Sequence, residues 1–264
     1  NSTFVKRPIT FRVNSIKATK QEINKILLEK GFKVKGVLWY KDAFILQNKW
    51  KQDMLDLDIY KEGKIYMQSL ASMVPPLVLD PQPGEKVLDL TAAPGSKTSQ
   101  IAALMNRKGE LVANDNNKIR FLKLEHNMEL LSIIPSEERN LSEEIVCETQ
   151  ETDVVPSKET PIDPTGTSCP PPLIGEEHDW NFVLRMEHGV ALTKEYPEYF
   201  DKILLDTPCT AETRFLADKS KSFSYWNEQK VKEMAHKQSG LLCSAWGALK
   251  PGGILVYSTC TFAP

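Results

Sequence analysis

The stretch that decides the fold is Lys86-Val87-Leu88-Asp89-Leu90-Thr91-Ala92-Ala93-Pro94-Gly95-Ser96-Lys97-Thr98. Lys86 to Leu90 is a short apolar run that reads as a buried strand. A tight loop of small residues follows, and Ser99 to Met105 has helical character. Downstream, Glu110 to Asp115 reads as a second strand and Lys118 to Leu131 as a second helix. That β-α-β-α alternation starts a doubly wound parallel sheet. Asn181 to Arg185, Lys202 to Asp206 and Ile254 to Thr259 read as the third, fourth and fifth strands. Between the last two, Glu228 to Leu249 is a long amphipathic helix, ended by Lys250-Pro251-Gly252-Gly253.

Upstream of this core the rhythm differs. Gln68 to Val74 reads as a short helix broken at Pro75-Pro76, before the turn Pro81-Gln82-Pro83-Gly84. Thr10 to Ile16 reads as a strand. Lys20 to Lys30 reads as a helix carrying Ile23, Ile26 and Leu27 on one face, with Gly31 as its stop. Val37 to Leu46 reads as a hairpin turning at Lys41-Asp42. The expected organisation is a small α+β domain over 1–64 and an α/β domain over 65–264. The latter is interrupted at 134–180 by a stretch holding 7 of the 17 prolines.

The chain has 264 residues, 41% hydrophobic and 26% charged, which suffices for one or two packed domains and excludes collagen, coiled coil and wholesale disorder. No apolar run of about 18 residues occurs, so no helical membrane span is expected. Asn1 to Thr10 lacks an apolar signal-peptide core, and the chain opens on Asn rather than Met, as a fragment would. The net charge of -2 hides an asymmetry. Residues 1–64 hold 14 Lys/Arg against 7 Asp/Glu, and residues 134–180 hold 2 against 12. The basic front is the footprint of a polyanion-binding surface; a solvated Lys-rich face is the plainer alternative. For the acidic, proline-rich insertion, passive disorder stands beside shielding of the basic unit and docking of a protein partner.

Five cysteines, Cys147, Cys169, Cys209, Cys243 and Cys260, form no CxxC pair, so neither a disulfide framework nor a zinc site is expected, and no metal is implied. The composition fits a reducing, intracellular compartment, with cytoplasm, nucleus and mitochondrion undistinguished. Without a secretory signal, Asn1-Ser2-Thr3 and Asn140-Leu141-Ser142 are chance matches to a glycosylation pattern.

Four short segments carry chemistry. The loop Thr91 to Lys97 lets a cofactor approach the backbone, at a helix start that offers unpaired N–H groups. It is not a P-loop, because Thr91 and Ser96 stand where that pattern needs glycine. Asp115, ending the second strand, can accept hydrogen bonds from a ribose diol. Asp206-Thr207-Pro208-Cys209 follows the fourth strand, and Ser258-Thr259-Cys260 the fifth. Ligands of open α/β sheets sit outside the carboxyl ends of the strands. If the fourth and fifth strands are neighbours, two thiols and one carboxylate share that edge and suggest covalent chemistry. The remaining cysteines read as ordinary packing or insertion residues.

Together, DLTAAPGSKT, Asp115, DTPC and STC resemble the Sun/Nop-type RNA cytosine-5 methyltransferases. Phe11-Arg12-Val13-Asn14-Ser15 resembles the start of that family's small RNA-binding domain. The resemblance spans nearly the whole chain except the insertion. It implies a Rossmann-like methyltransferase sheet preceded by a small α+β RNA-binding domain. It also implies S-adenosylmethionine as cofactor, and methylation of cytosine carbon 5 in structured RNA (tRNA or rRNA) through a covalent cysteine adduct. By resemblance, Cys260 is the nucleophile, Cys209 assists release, Asp206 binds the cytosine edge and Lys97 lies beside it. Ala92, Ala93, Pro94, Gly95, Lys97, Asp115, Arg120 and Asp206 are the implied cofactor residues.

Two features depart from the family pattern. Its third cofactor segment usually carries an Asp, where this chain offers Arg185-Met186-Glu187-His188-Gly189 with His188 near the expected place. It also continues beyond the fifth strand with acidic residues and a hairpin, where this chain has Thr261-Phe262-Ala263-Pro264, so the carboxyl end reads as truncated. Two other function classes stand beside the enzyme reading. One is a non-catalytic RNA-binding or assembly factor that retains the fold; the other is a methyltransferase for a small molecule or protein.

Overall fold

The structure, a computed structural model, describes residues 7–134, 179–212, 215, 224 and 226–262. The readings of Asn1-Ser2-Thr3, Asn140, Cys147, Cys169 and the acidic insertion fall outside these residues. The described residues belong to one compact unit, 1–134 with 179–264.

Two sheets organise it. The first contains β1 (Thr10–Val13), β2 (Val34–Val37), β3 (Tyr40–Leu46) and β4 (Ile65–Met67), antiparallel in the order β2-β3-β1-β4. Helix α1 (Lys20–Glu29) buries Ile23 and Leu27 against Phe11, Val13 and Phe44, as its spacing requires. Thr19 caps it by accepting from the Glu22 N–H at 3.2 Å. The short helices α2 (Lys51–Leu55) and α3 (Asp58–Lys61) add Met54 and Ile59 to the same core. The hairpin turns at Leu38-Trp39, not at Lys41-Asp42. A register shift at Gly36/Val37 moves the turn upstream and leaves Leu38 and Trp39 exposed, while Lys41 takes an outward position on β3.

The second sheet contains β5 (Lys86–Asp89), β6 (Gly109–Asn114), β7 (Trp180–Arg185), β8 (Phe200–Asp206) and β9 (Leu249–Ser258), all parallel, in the order β7-β6-β5-β8-β9. Alternate residues serve opposite faces. Val87, Leu111, Ala113 and Leu204 pack with Ile101 of α5 (Ser96–Leu104) and with Leu124 and Met128 of α6 (Lys118–Leu130). Leu88, Val112, Ile203 and Leu205 pack with Leu192 of α7 (Gly189–Lys194) and with Leu241 and Ala245 of α8 (Glu228–Ala248). Helices therefore cover both faces, as the β-α alternation predicts. The strand order reverses at β5, whose two neighbours are β6 and β8.

Helix α4 (Leu70–Leu79) runs through Pro75-Pro76 instead of breaking there. Pro76 has no N–H for the Ser72 carbonyl. The Gln68 amide supplies one at 3.1 Å, and Gln100 donates to the Met73 carbonyl at 2.9 Å. Borrowed side-chain donors thus satisfy the carbonyls near the prolines.

The same glutamines belong to a buried polar chain that joins the two sheets. Arg12 on β1 is wholly buried. Its Nε donates to Gln68 Oε1 at 2.8 Å, its Nη2 to Ser99 Oγ at 2.5 Å, and Gln68 donates on to Gln100 at 3.0 Å. Its guanidinium lies over the Tyr66 ring. Burial pulls its pKa down, with Tyr40, Tyr66 and Asp42 opposing. Asn14, equally buried, donates to the carbonyls of Gly63 and Leu131, both at 3.0 Å. Replacing Arg12 with Ala strands several buried acceptors and opens a cavity, so we expect a loss of about 2–4 kcal/mol. Urea unfolding of the chain measures this; an unchanged midpoint would remove Arg12 as the strut between the sheets.

Candidate active site

The carboxyl ends of β5, β8 and β9 meet at Asp206, the last residue of β8. Lys97, in the first turn of α5, places Nζ 2.5 Å from Asp206 Oδ2. Ser258, ending β9, donates to Oδ1 at 2.7 Å. The Asp206 carbonyl accepts from the Thr91 hydroxyl at 2.8 Å. The carboxylate is thus oriented by an ammonium and a hydroxyl from two different elements. Asp89, at the end of β5, is buried beneath it. Burial, chiefly, pushes its pKa up to about 7, against the Thr98 hydroxyl, which donates to it at 2.7 Å.

Beyond Asp206 the two cysteine segments converge. Cys209 and Cys260 lie sulfur to sulfur at 2.8 Å, both half-buried thiols, and either can be the donor. The hydrogen bond from Cys260 lowers the Cys209 pKa to about 6; burial opposes, and the Thr259 side chain and the N–H groups of Cys260 and Ala211 help. One proton shared between two sulfurs lets the negative charge rest on either.

Glu212 holds these segments together and was not legible in the sequence. Its carboxylate accepts from Thr210, from Thr261 at 2.5 Å and from the Trp226 indole at 2.7 Å. Thr210 and Thr261 are also 3.0 Å apart. The donors hold Glu212 at a pKa of about 2 although burial pushes the other way. The available signal was symmetry: each cysteine is followed by a threonine, and two facing hydroxyls need an acceptor.

Two cavities flank this ridge. The larger, about 710 Å³, exposes Ala92, Ala93, Pro94, Lys97, Asp206, Cys209 and Cys260. The smaller, about 410 Å³, contains Asp115, His188 and Gly189. Thr91, Arg120 and Pro208 line both, so the cavities share a wall. Gly95 lines neither: its φ of +100° turns the chain into α5, and a Cβ there would stand 2.5 Å from Met128 Cε.

Asp115 is buried in the smaller cavity. Its Oδ1 accepts the Asn117 N–H at 3.0 Å, while its buried Oδ2 accepts no hydrogen bond although Arg120 Nη2 is 3.2 Å away. Arg120 instead donates to the Ala93 carbonyl at 2.5 Å, tying the Thr91–Lys97 loop to α6. Asn114 was also missed; it bonds the Leu90 carbonyl at 3.2 Å and both the carbonyl and N–H of Glu187, fixing the third segment. Glu187 is engaged by Arg185, which also holds Glu195 at 2.8 Å. His188 therefore faces the cavity where the resemblance places an acid. Among the described residues, no group of three or more His, Cys, Asp or Glu could hold a metal ion.

The profile of the family described as 16S rRNA methyltransferase RsmB/F matches residues 76–148 and 183–264. The chain is 30% identical to the tRNA (cytosine(49)-C(5))-methyltransferase of Pyrococcus abyssi, over 97% of this chain and 66% of that protein. It is 33% identical to the Ribosomal RNA small subunit methyltransferase F of Vibrio vulnificus, over 96% of this chain and 44% of that protein. A solved methyltransferase homolog from Pyrococcus horikoshii superposes with a TM-score of 0.72 at 30% identity, covering 100% of this chain and 68% of the other. The chain thus spans between under half and about two thirds of the length of these curated relatives. It belongs to the RsmB/F methyltransferase family.

The thiol pair yields a pH prediction. Because the Cys209 pKa is lowered to about 6, this thiol is ionised above that pH and neutral below it. Iodoacetamide alkylation, followed against pH by mass spectrometry, should show Cys209 inflecting near 6. In Cys260→Ala, Cys209 loses its main stabilising partner, and the inflection should rise toward the usual thiol value of about 8.5. The same inflection in both proteins would disprove the coupling.

Proposed function

We propose that this member of the RsmB/F family is an S-adenosylmethionine-dependent RNA methyltransferase that modifies carbon 5 of cytosine in structured RNA, tRNA or rRNA. The observation that carries the reading is the 2.8 Å thiol pair beside the Lys97–Asp206 ion pair at one cavity. Carbon 5 of cytosine is a poor nucleophile, and addition of a thiolate to carbon 6 corrects this. The names of the relatives, one for tRNA and one for ribosomal RNA, support the substrate class.

Cys260 attacks carbon 6, forming a carbon–sulfur bond and moving the ring's double-bond electrons toward the base edge. The attack needs Cys260 as the thiolate; its proton passes to the neighbouring Cys209 sulfur and from there to solvent, which leaves Cys209 free to accept a proton later. Asp206, oriented by Lys97 and Ser258, hydrogen-bonds the base edge and stabilises the protonated ring. The bound cofactor supplies an electrophilic methyl group for carbon 5. Cys209 then assists loss of the carbon 5 proton; those electrons restore the ring double bond as the Cys260 sulfur leaves. The target base reaches such a cavity only when flipped from its stack.

The cofactor fits the residues present. The buried Oδ2 of Asp115, which accepts no hydrogen bond in the structure, suits a ribose hydroxyl. Ala92, Ala93 and Pro94 leave the backbone accessible, Arg120 and Lys97 border the same space, and His188 takes the place of the usual acid. RNA affinity draws on the basic front of the chain, which favours a moderate dependence on salt. Both thiols must stay reduced, which supports the assignment to a reducing, intracellular compartment.

The test uses trapping. Cys209→Ala, expressed in cells as the full chain, should accumulate protein covalently linked to RNA on a denaturing gel. The band should vanish when Cys260→Ala is added. Absence of the band from Cys209→Ala, with the wild type failing to bind S-adenosylmethionine by calorimetry, would overturn the enzyme reading.

A further inference from the structure

A second groove, about 640 Å³, opens beside the larger cavity, between the first sheet's short helices and the outer face of α6. Tyr66, Met67, Pro94 and Lys123 line both spaces, so the groove is continuous with the cavity that contains the thiols. Its floor is apolar and open to solvent. Ile119 and Leu122, one turn apart on α6, are 70% and 54% exposed, although residues of this type are normally covered. Beside them stand the half-buried ring of Tyr60, the cations Lys51 and Lys123, and the imidazole of His126. Among the described residues, no acidic residue lines the groove. Asn127 donates to the Pro94 carbonyl at 2.7 Å, so the wall shared with the cavity is held to α6.

We propose that this groove seats the nucleotides that flank the target cytosine, with the neighbouring base against Tyr60, Ile119 and Leu122 and its phosphates against Lys51 and Lys123. The inference rests on the RNA reading above and adds a subsite to it. Apolar and aromatic surface framed by cations is what an unstacked base with its phosphates requires. A flipped base in the cavity leaves its neighbours without a stacking partner, and the groove provides one where the strand must emerge. A lipid surface or an apolar peptide would use Ile119 and Leu122 but gives no reason for the passage into the thiol cavity.

The test combines trapping with photocrosslinking. The full chain carries Cys209→Ala together with p-benzoylphenylalanine in place of Leu122. It is expressed in cells, irradiated, and its covalently held cellular RNA is sequenced. A control protein carries the photoreactive residue in place of exposed Trp246 on α8. The expected result is a second RNA crosslink on the nucleotides immediately flanking the trapped cytosine, about tenfold or more above the Trp246 control. RNA held by Cys260 with crosslinks only at distant nucleotides, only to protein, or equal to the control overturns the groove and leaves the enzyme reading intact. No RNA held by Cys260 overturns that reading and this inference with it.

Discussion

Asp206 is held from three sides, and the site depends on that arrangement. Its carboxylate is gripped by Lys97 from α5 and by Ser258 from β9, and its carbonyl by Thr91 from the β5 loop. Thr91 and Lys97 come from the connection that follows β5, and Ser258 from the end of β9. The grip therefore exists only where β8 lies between β5 and β9, at the place where the strand order reverses. Once Asp206 is fixed there, the segments that follow β8 and β9 leave side by side. Their cysteines meet because Thr207 pairs with Ser258 immediately before them, N–H to carbonyl at 2.9 Å.

Buried charge is concentrated where it can act. Asp89, deeply buried, is pushed up to about 7, whereas Glu212, nearer the surface, is held at about 2 because three side chains donate to it. The contrast is one of depth and of donors together. Glu212 thereby becomes a rigid acceptor that ties the two cysteine segments together, and the thiols are preorganised before any ligand arrives. The Oδ2 of Asp115 is the complementary case, a buried acceptor that faces Arg120 at 3.2 Å but accepts no hydrogen bond. Such an atom is costly to maintain unless something satisfies it.

The amino-terminal residues divide their work. Arg12 and Asn14, which look like part of a nucleic-acid motif when read in sequence, are buried and hold the first sheet to α5, α6 and the loop before β4. Lysines of the same sheet's short helices, Lys51 among them, are exposed instead. Rigid attachment of the first sheet matters because Tyr66 and Met67, at its last strand, line the cavity that also contains the thiols.

The strands and helices of the second sheet were legible because each is a contiguous run whose period names its type and whose small-residue loop marks the turn between them. The hairpin turn and the path of α4 were misread for a shared reason. Leu38-Trp39 is apolar yet exposed, and Pro75-Pro76 stays within a helix whose Ser72 carbonyl, lacking the Pro76 N–H, is served by the Gln68 side chain. Among the candidate site residues, those inside short contiguous motifs could be named from the sequence: Lys97, Asp115, Asp206, Cys209 and Cys260. Glu212, Asn114 and the pairing of Arg12 with Ser99 could not, since each acts on groups distant in the chain. The sequence by itself determined which residues stand at the carboxyl ends of strands, because strand ends follow from local pattern. The tertiary structure alone decided which of those ends are neighbours, because parallel pairing joins segments far apart in the chain and hydrogen bonds such as those to Asp206 form only once the strands are side by side.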